Sequence, residues 1–364
     1  MRHLFRPPYL FILSLAIFLL ISTTCQPAPQ TTSLPPELVF RTWEDDLPPD
    51  LLDGFTKETG IPVRLLSYEA QEDAVADIEA QKPGDVVVMD ARFIPGLVTK
   101  KALARFDRSN LPNFRYISVA FRDLSFDPGN LYTVPYQWGT AGIVYRRDLT
   151  GRDITRWADL WDPAYAGKVG IWRGQIRETT GLTLKMLGYS ANTENPEEIA
   201  AAMRKLADLR HGVVWIESID PYTSVPGLLD DRLALALGYA FDEVEGKSKN
   251  PQIKFVLPAE GAVLWSEHFI IPAHSRYQAE AERLVNYLLE PYVMAEIVNY
   301  NHYAPAHDGA IALLPSDIRT DPLIFPSDDV LANAEIIFPV SDSTEQLYQS
   351  SWEDFIAGIE KESP

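Results

Sequence analysis

The sequence predicts an α/β protein in which layers of parallel strands are covered by helices. Apolar strand candidates alternate with amphipathic helix candidates at the spacing of βαβ units, which favours a doubly wound parallel sheet. The strand candidate at 85–89 (DVVVM) is a continuous apolar run, as expected for a strand buried on both faces. The alternation occurs in two series, and 364 residues are enough for two ordinary cores, so we expect two lobes.

The first series lies between residues 38 and 89. Strands are predicted at 38–41, 63–67 and 85–89, with helices at 48–59, which Gly60 ends, and at 71–81. Ligands of such sheets bind beyond the carboxyl ends of the strands. Residues 43–46 and 90–92 are therefore the first places to expect a site.

The second series begins at residue 168. Its strands are predicted at 168–171, 213–216, 233–239, 253–256 and 267–271. Its helices are predicted at 177–187, 196–209, 221–230, 277–289 and 291–299, followed by helices at 328–336 and 344–360. Two similar α/β series again indicate two lobes.

The N-terminal residues have the order of an export signal. Arg2 and Arg6 precede an apolar run at 9–21, and the small residues 22–24 precede Cys25, the single cysteine of the chain. The run is shorter than the roughly 20 residues that a membrane-spanning helix needs. We therefore predict a signal peptide at 1–24 and a location in the periplasmic space or on the outer face of the cytoplasmic membrane.

Cys25 is either removed with the signal or becomes the first residue of a lipoprotein. Its position resembles that of the lipidated cysteine of bacterial lipoproteins, although Ser22 and Thr24 stand where that pattern has Leu and Gly or Ala. Residues 25–36, rich in Pro, Thr and Gln, are predicted to form a flexible tether. We expect contact with the membrane only through a lipid on Cys25.

Composition and motifs argue against several classes of function. With 51 acidic and 32 basic residues and a formal charge of −19, the chain suits a cationic ligand better than nucleic acid or anionic lipid. It contains no P-loop, GxGxxG, GxSxG, HExxH or CxxC motif, so we expect no enzyme, no cofactor and no metal. Two alternatives stay open: a hydrolase that uses paired carboxylates, such as Asp45 with Asp46 or Glu178 with Glu267, and ferric-ion binding through Tyr239 and Tyr303.

Aromatic and acidic residues occur together where strands are predicted to end. The groups are Trp43 with Glu44, Asp45 and Asp46; Trp265 with Glu267; and Tyr239 with Phe241 and Asp242. An aromatic face attracts an ammonium group by roughly 0.5–2 kcal/mol. A carboxylate about 4 Å away adds roughly 4 kcal/mol at an effective dielectric constant near 20. Micromolar affinity requires only about −8 kcal/mol, so these groups predict a site for a small organic cation.

Six segments of the chain resemble the spermidine/putrescine-binding proteins of bacterial ABC importers. They are 43–63 (WEDDLPPDLLDGFTKETGIPV), 134–143 (VPYQWGTAGI), 157–167 (WADLWDPAYAG), 187–193 (LGYSANT), 261–272 (GAVLWSEHFIIP) and 302–305 (HYAP). The resemblance implies a two-lobed type II periplasmic-binding-protein fold with a hinge, in which lobe one is 37–142 plus 267–312 and lobe two is 143–266 plus 313–360. It also implies a monomeric receptor that binds putrescine or spermidine between the lobes and delivers it to an ABC permease.

The resemblance assigns ligand-binding roles to individual residues. The matching positions are Trp43, Asp45, Glu178, Tyr239, Trp265, Glu267 and Tyr303. Four further positions depart from the family, with Asp46 for a Tyr, Asp90 for a Ser, Arg92 for a Tyr and Gln175 for an Asp. Arg92 has two interpretations. Either it pairs with Asp90 or Asp46 and the site still binds a polyamine, or it binds a carboxylate or phosphonate of a zwitterionic or anionic solute.

Overall fold

The computed structural model describes residues 37–44, 46–68, 70–209, 212–218 and 223–362. These residues belong to one unit that spans residues 35–364. The predicted export signal, the tether and Cys25 lie outside the described residues, as does Asp45, so what the sequence predicts for them stays a prediction. No helix of the described chain combines the length and the apolar character needed to cross a membrane.

Eleven strands of the described chain form one sheet. They are β1 Leu38–Trp43, β2 Val63–Tyr68, β3 Val86–Asp90, β4 Val134–Arg146, β5 Val169–Ile171, β6 Val213–Trp215, β7 Leu235–Tyr239, β8 Ile253–Val256, β9 Val263–Ile270, β10 Ala304–Pro305 and β11 Glu335–Ile336. Their order is β2-β1-β3-β9-β4-β7-β5-β6, with β8 and β10 paired to β4 and β11 paired to β9. Two parallel units, β1–β3 and β5–β7, are joined through the antiparallel pair β4 and β9.

The helices fill the connections between these strands. They are α1 Leu51–Thr59, α2 Gln71–Glu79, α3 Ile94–Thr99, α4 Arg147–Thr150, α5 Ile176–Met186, α6 Pro196–Ala207, α7 Val225–Leu229, α8 Ala240–Lys249, α9 Gln278–Leu288, α10 Pro291–Asn301, α11 Asp308–Ile311, α12 Ser316–Arg319, α13 Asp328–Leu331 and α14 Asp342–Glu362. Gly60 ends α1 in the left-handed conformation that glycine adopts without strain, and its N–H donates to the Thr56 carbonyl at 2.8 Å.

Two large buried clusters divide the interior. The first core contains Phe40, Phe55, Tyr136 and Phe269, and the second core contains Ile143, Trp157, Val263, Tyr348 and Trp352. Both β4 and β9 run from one core into the other. The α/β, two-lobed fold class is thus confirmed, with these two strands as the links between the lobes. The lobe boundaries given above stay predictions.

Strand β3 is buried on both faces, as its continuous apolar run predicts. Val86 and Val88 pack into the first core, whereas Val87 and Met89 pack into a separate cluster under α2 and α3. All four side chains are fully buried. The sheet of the first lobe is therefore covered on both faces, which is the doubly wound arrangement.

The longest strand, β4, is absent from the sequence prediction. Gly139 and Gly142 interrupt its apolar pattern and are typical of turns. In the structure, a Cβ atom at Gly139 would lie under 3.0 Å from the ring of Trp265, and one at Gly142 would lie equally close to Phe255. The strand therefore needs glycine where neighbouring side chains cross it, a requirement that local sequence does not reveal.

The prediction of a helix over 328–336 is correct for 328–331 and wrong for the residues that follow. Helix α13 ends at Leu331, and β11 pairs in parallel with Val263 and Leu264 of β9. The N–H of Glu335 donates to the Ala262 carbonyl at 3.1 Å. Pairing with a strand that lies some 70 residues earlier overrides local helix propensity here.

Candidate functional site

Strand ends and one helix bring the candidate residues together between the two cores. Trp43 ends β1, Asp90 ends β3, Tyr239 ends β7, Trp265 and Glu267 lie on β9, and Glu178 lies in the first turn of α5. Asp90 is opposite Glu267 in the β3–β9 pairing. Since residues two apart on a strand share a face, the Trp265 ring and the Glu267 carboxylate lie on one side of β9.

Glu267 is a buried carboxylate surrounded by neutral hydrogen-bond donors. Its oxygens accept from the indole N–H of Trp43, from Gln137 Nε2 at 2.9 Å and from Gln71 Nε2 at 3.4 Å. Burial raises the pKa of Glu267 to about 8, and the negative charge of Asp46 adds to the rise. The carboxylate is therefore oriented by the protein, and its burial disfavours the charged form.

Asp46 is a second buried carboxylate close to Glu267, and its oxygens accept hydrogen bonds from protein side chains. Gln137 Nε2 donates to Asp46 at 2.9 Å as well as to Glu267, so one amide nitrogen joins the two carboxylates. Asp46 also accepts from Thr42, from Tyr136 at 3.3 Å and from Asn301 at 3.3 Å. Burial raises the pKa of Asp46, although these donors oppose the rise. Asp46 thus supports Glu267 through Gln137, and its contact with a ligand stays a prediction.

Glu178 is the corresponding carboxylate on the second lobe. The hydroxyl of Tyr239 donates to it at 2.7 Å, and the side chain is almost fully buried. Burial raises the pKa of Glu178 to about 7, while the bond from Tyr239 and the charge of Arg92 lower it. Glu178 and Glu267 thus each lie in a low-polarity position beside an aromatic donor.

Aromatic rings form a continuous wall between these carboxylates. Tyr239 stacks on Trp172 with a centroid distance of 4.9 Å and meets the Trp265 ring edge-on at 6.4 Å. Tyr303 meets Trp265 edge-on at 4.9 Å. Tyr239, Trp265 and Tyr303 also line one small pocket, together with residues 138–140 of β4. The wall suits the hydrocarbon part of a slender ligand.

Arg92 lies beside Asp90 at the end of β3. Its Nε is 3.9 Å from Asp90 Oδ1 and its Nη2 is 3.6 Å from Glu72 Oε1. Its backbone N–H donates to Asp90 Oδ1 at 2.9 Å, and its guanidinium lies 4.5 Å from the centroid of the Phe93 ring. Of the two partners considered from the sequence, the structure pairs Arg92 with Asp90 and not with Asp46.

Gln175 lies at the edge of this group. It precedes α5, and its carbonyl accepts from the Thr179 N–H at 2.9 Å. The half-exposed side chain is placed one helical turn before Glu178. Contact of Gln175 with a ligand stays a prediction, as does that of Asp45, which lies outside the described residues.

Besides Trp172, three side chains that shape the site could not be recognised from the sequence. Tyr68 packs edge-on against Trp43 at 4.8 Å, and Gln71 and Gln137 hold Glu267. Gln137 lies on the unpredicted strand β4, and Gln71 begins α2, where a polar residue is ordinary. The sequence alone does not show that a glutamine contacts a particular carboxylate, because the contact depends on the tertiary structure.

The described residues give no support to a metal site. No group of three or more His, Cys, Asp or Glu side chains within them is arranged to hold a metal ion. Burial also raises the pKa of the Tyr239 and Tyr303 phenols above their ordinary value. These shifts describe the metal-free phenols, and ferric binding through Tyr239 and Tyr303 stays a prediction.

Comparisons with known proteins show the family to which the chain is similar. A family model described as bacterial extracellular solute-binding protein matches residues 50–326. The spermidine/putrescine-binding periplasmic protein of Salmonella typhimurium is 30% identical over 324 residues, covering 88% of this chain and 92% of that protein. The putrescine-binding periplasmic protein of Pseudomonas aeruginosa is 30% identical over 338 residues, covering 87% and 90%. The crystal structure of a spermidine/putrescine ABC transporter substrate-binding protein from Streptococcus pneumoniae matches with a TM-score of 0.78 at 26% identity, covering 89% of this chain and 99% of that one.

Proposed function

The chain belongs to the family of bacterial extracellular solute-binding proteins, alongside the spermidine/putrescine-binding proteins, and on that premise we propose that it is the polyamine receptor of an ABC importer. It binds putrescine or spermidine in the cleft between its lobes and delivers the amine to the permease. It acts as a carrier of its ligand and not as an enzyme.

The proposal rests chiefly on two buried carboxylates, one on each lobe, that each lie beside an aromatic donor. Glu267 accepts from Trp43, and Glu178 accepts from Tyr239. Burial disfavours the charged form of both acids, which is why the pKa of each is raised. An ammonium group beside each carboxylate would favour the charged form and offset its desolvation. A molecule with an ammonium group at each end meets both requirements.

The rings between the carboxylates suit a chain of methylene groups. Tyr239, Trp265 and Tyr303 form adjoining surfaces with centroid distances of 6.4 and 4.9 Å. Covering one methylene group contributes about 0.8 kcal/mol, and an ammonium over an aromatic face contributes roughly 0.5–2 kcal/mol. Together with two ion pairs, these contributions are sufficient for the roughly −8 kcal/mol of micromolar binding.

Residue roles follow from these contacts. We assign direct ligand contact to Trp43, Glu178, Tyr239, Trp265, Glu267 and Tyr303. Asp46 orients Glu267 through Gln137, and Asp90 and Arg92 form an ion pair at the side of the cleft. Asp45 and Gln175 complete the proposed set on the strength of the family resemblance alone.

The lobes and the anchor are part of the same proposal. The change from first to second core along β4 and β9 supports lobes of 37–142 plus 267–312 and 143–266 plus 313–360. Bending at these strands would close the lobes over the amine. We propose that residues 1–24 are removed on export and that Cys25 is lipidated. The receptor then works as a monomer at the outer face of the cytoplasmic membrane.

Arg92 favours a second candidate ligand, a zwitterionic or anionic solute. Arginine recognises carboxylates through paired hydrogen bonds. In this chain, however, the guanidinium already has carboxylate oxygens of Asp90 at 3.9 Å and Glu72 at 3.6 Å. The arrangement therefore supports the polyamine better.

Calorimetric titration of the mature protein tests the proposal. The ligands compared are putrescine, spermidine and a panel of amino acids. The variants compared are Glu267→Gln and Glu353→Gln, a control on the exposed surface of α14. We expect micromolar or tighter binding of at least one amine, a large loss in Glu267→Gln and no change in the control. Saturation by an amino acid with no heat from either amine contradicts the proposal.

A further inference from the structure

The charges of the cleft differ in how far the protein itself neutralises them. Glu178 and Glu267 accept hydrogen bonds from the neutral aromatic donors Tyr239 and Trp43, and Arg92 acts on Glu178 only through its charge, with no ion pair between them within 4 Å. Asp90 has a cation instead, the guanidinium of Arg92. The ion pair occupies the lobe-one side of the cleft, directly across the β3–β9 pairing from Glu267.

Arg92 is held in this position by several contacts. Its backbone N–H donates to Asp90 at 2.9 Å, its guanidinium lies 4.5 Å from the Phe93 centroid, and only 16% of its side chain is exposed. Glu72, the second carboxylate beside it at 3.6 Å, is 62% exposed. Solvent screens an exposed acid, so Asp90 is the principal partner of the guanidinium.

We infer that Arg92 acts as a built-in counter-cation that limits the cleft to two ligand charges, so that a diamine binds more tightly than a triamine. The inference rests on the proposed function and sharpens its ligand class. With Asp90 paired to Arg92, the carboxylates among the described residues to which we assign ligand ammonium groups are Glu178 and Glu267. Each accepts one end of a diamine.

Among the described residues, the other buried acids near the cleft already accept three or more hydrogen bonds from the protein. Asp46 accepts from Thr42, Tyr136, Gln137 and Asn301. Asp242 accepts from Thr223 and from the backbone N–H groups of Ser224 and Tyr239. A third ammonium group would therefore meet the guanidinium of Arg92 in a partly buried cleft, where like charges repel more strongly than in water.

The test compares putrescine and spermidine on the intact mature chain at low ionic strength. By calorimetry, wild type is expected to bind putrescine about tenfold or more tightly than spermidine, as one unscreened like-charge contact predicts. Arg92→Gln should shift that ratio toward spermidine by about tenfold, and Arg92→Lys, which keeps the charge, should leave it near the wild-type value. Arg64→Gln is the matched control, because it removes an equal charge from the half-exposed pair of Arg64 with Glu37.

The affinities of both amines for Asp90→Asn provide a second, independent test. It leaves the guanidinium without its buried partner, so both amines should bind more weakly and spermidine should lose more than putrescine. This variant decides the question if Arg92→Gln does not fold, as judged by its unfolding temperature.

The inference is overturned if wild type binds spermidine as tightly as putrescine. It is also overturned if the ratio in Arg92→Gln equals that in Arg64→Gln. Failure of both amines to bind wild type is a different result, because it removes the proposed function itself.

Discussion

The indole N–H of Trp43 donates a hydrogen bond to the carboxylate of Glu267, a residue 224 positions later in the chain. The bond joins the end of β1 to β9 and fixes an aromatic ring beside a buried acid. A neutral donor stabilises the carboxylate only in part, since the pKa of Glu267 is still raised to about 8. We therefore propose that the cation beside Glu267 comes from the ligand.

Replacing Trp43 with Phe should weaken amine binding while preserving the fold. The change removes the N–H donor to Glu267 and keeps part of the ring. We expect putrescine affinity to fall about tenfold, because a hydrogen bond to a charged group contributes roughly 1.5–3 kcal/mol. Trp161→Phe is the control, since its indole N–H donates to the Lys205 carbonyl at 2.7 Å in the second lobe. Equal affinities in the two variants would contradict the assigned role.

Neutralising either carboxylate should reduce binding far more than stability. Glu178→Gln and Glu267→Gln each remove one partner of a buried ion pair, so affinity should fall by about 3 kcal/mol, or more than a hundredfold. The ligand-free variants should lose less than about 1 kcal/mol of unfolding free energy at pH 8, because they no longer bury a charge. Titration calorimetry and urea unfolding measure the two effects. Loss of stability without loss of affinity would make these acids structural.

The stability of the ligand-free protein should fall as pH rises above neutrality. Burial raises the pKa of Glu178 and Glu267 from 4.5 to about 7 and about 8, so the folded chain holds more protons than the unfolded chain in this range. The decrease begins near the unfolded pKa of 4.5, and between pH 6.5 and 8.5 it should amount to roughly 3 kcal/mol, at about 1.4 kcal/mol per pKa unit. Burial lowers the pKa of His268 to about 3, which destabilises the fold only below its unfolded value of 6.5 and so lies outside this window.

Urea unfolding across that pH range, with and without saturating putrescine, checks the prediction. Amine should abolish the decrease, because it binds the charged carboxylates, and Glu267→Gln should reduce it. Binding at pH 7 should also release protons, seen as heats that depend on the ionisation enthalpy of the buffer. A flat stability profile in wild type would show that the two acids are charged at neutral pH.

Adding a methyl group at Gly139 should displace the ring of Trp265, one of the proposed ligand contacts. A Cβ atom there would lie under 3.0 Å from the Trp265 ring, which must shift to accommodate it. We expect Gly139→Ala to lower putrescine affinity about tenfold or more and to destabilise the protein by roughly 1–3 kcal/mol, as overpacking does. Gly96→Ala in α3 is the matched control, because nothing lies within 4 Å of a Cβ atom at that position. Similar behaviour of the two variants would mean that the Trp265 ring is free to move.

Elements with a complete local signal could be predicted from sequence. Strand β3 is an unbroken apolar run, and α1 carries an apolar face closed by Gly60, although it begins at Leu51 and not at Pro48. Strand β4 could not be predicted, because its glycines are required by side chains of other strands. The C-terminal strand β11 exists only through its pairing with β9.

The same distinction applies to the site. The acidic and aromatic residues at strand ends could be predicted from the sequence, because the end of each strand could be located from its apolar run. The support beneath Glu267 was not visible, since it depends on Gln137 from β4 and on Asn301, which lies 255 residues after Asp46. Which partner Arg92 takes is likewise decided by the tertiary structure.

A crystal structure of the mature protein with putrescine tests the central claim most directly. The account predicts one amine nitrogen within hydrogen-bond distance of Glu178, the other within that distance of Glu267, and the methylene chain against Trp265. A putrescine molecule that contacts neither carboxylate, or a carboxylate-bearing solute bound to Arg92 in its place, would contradict it.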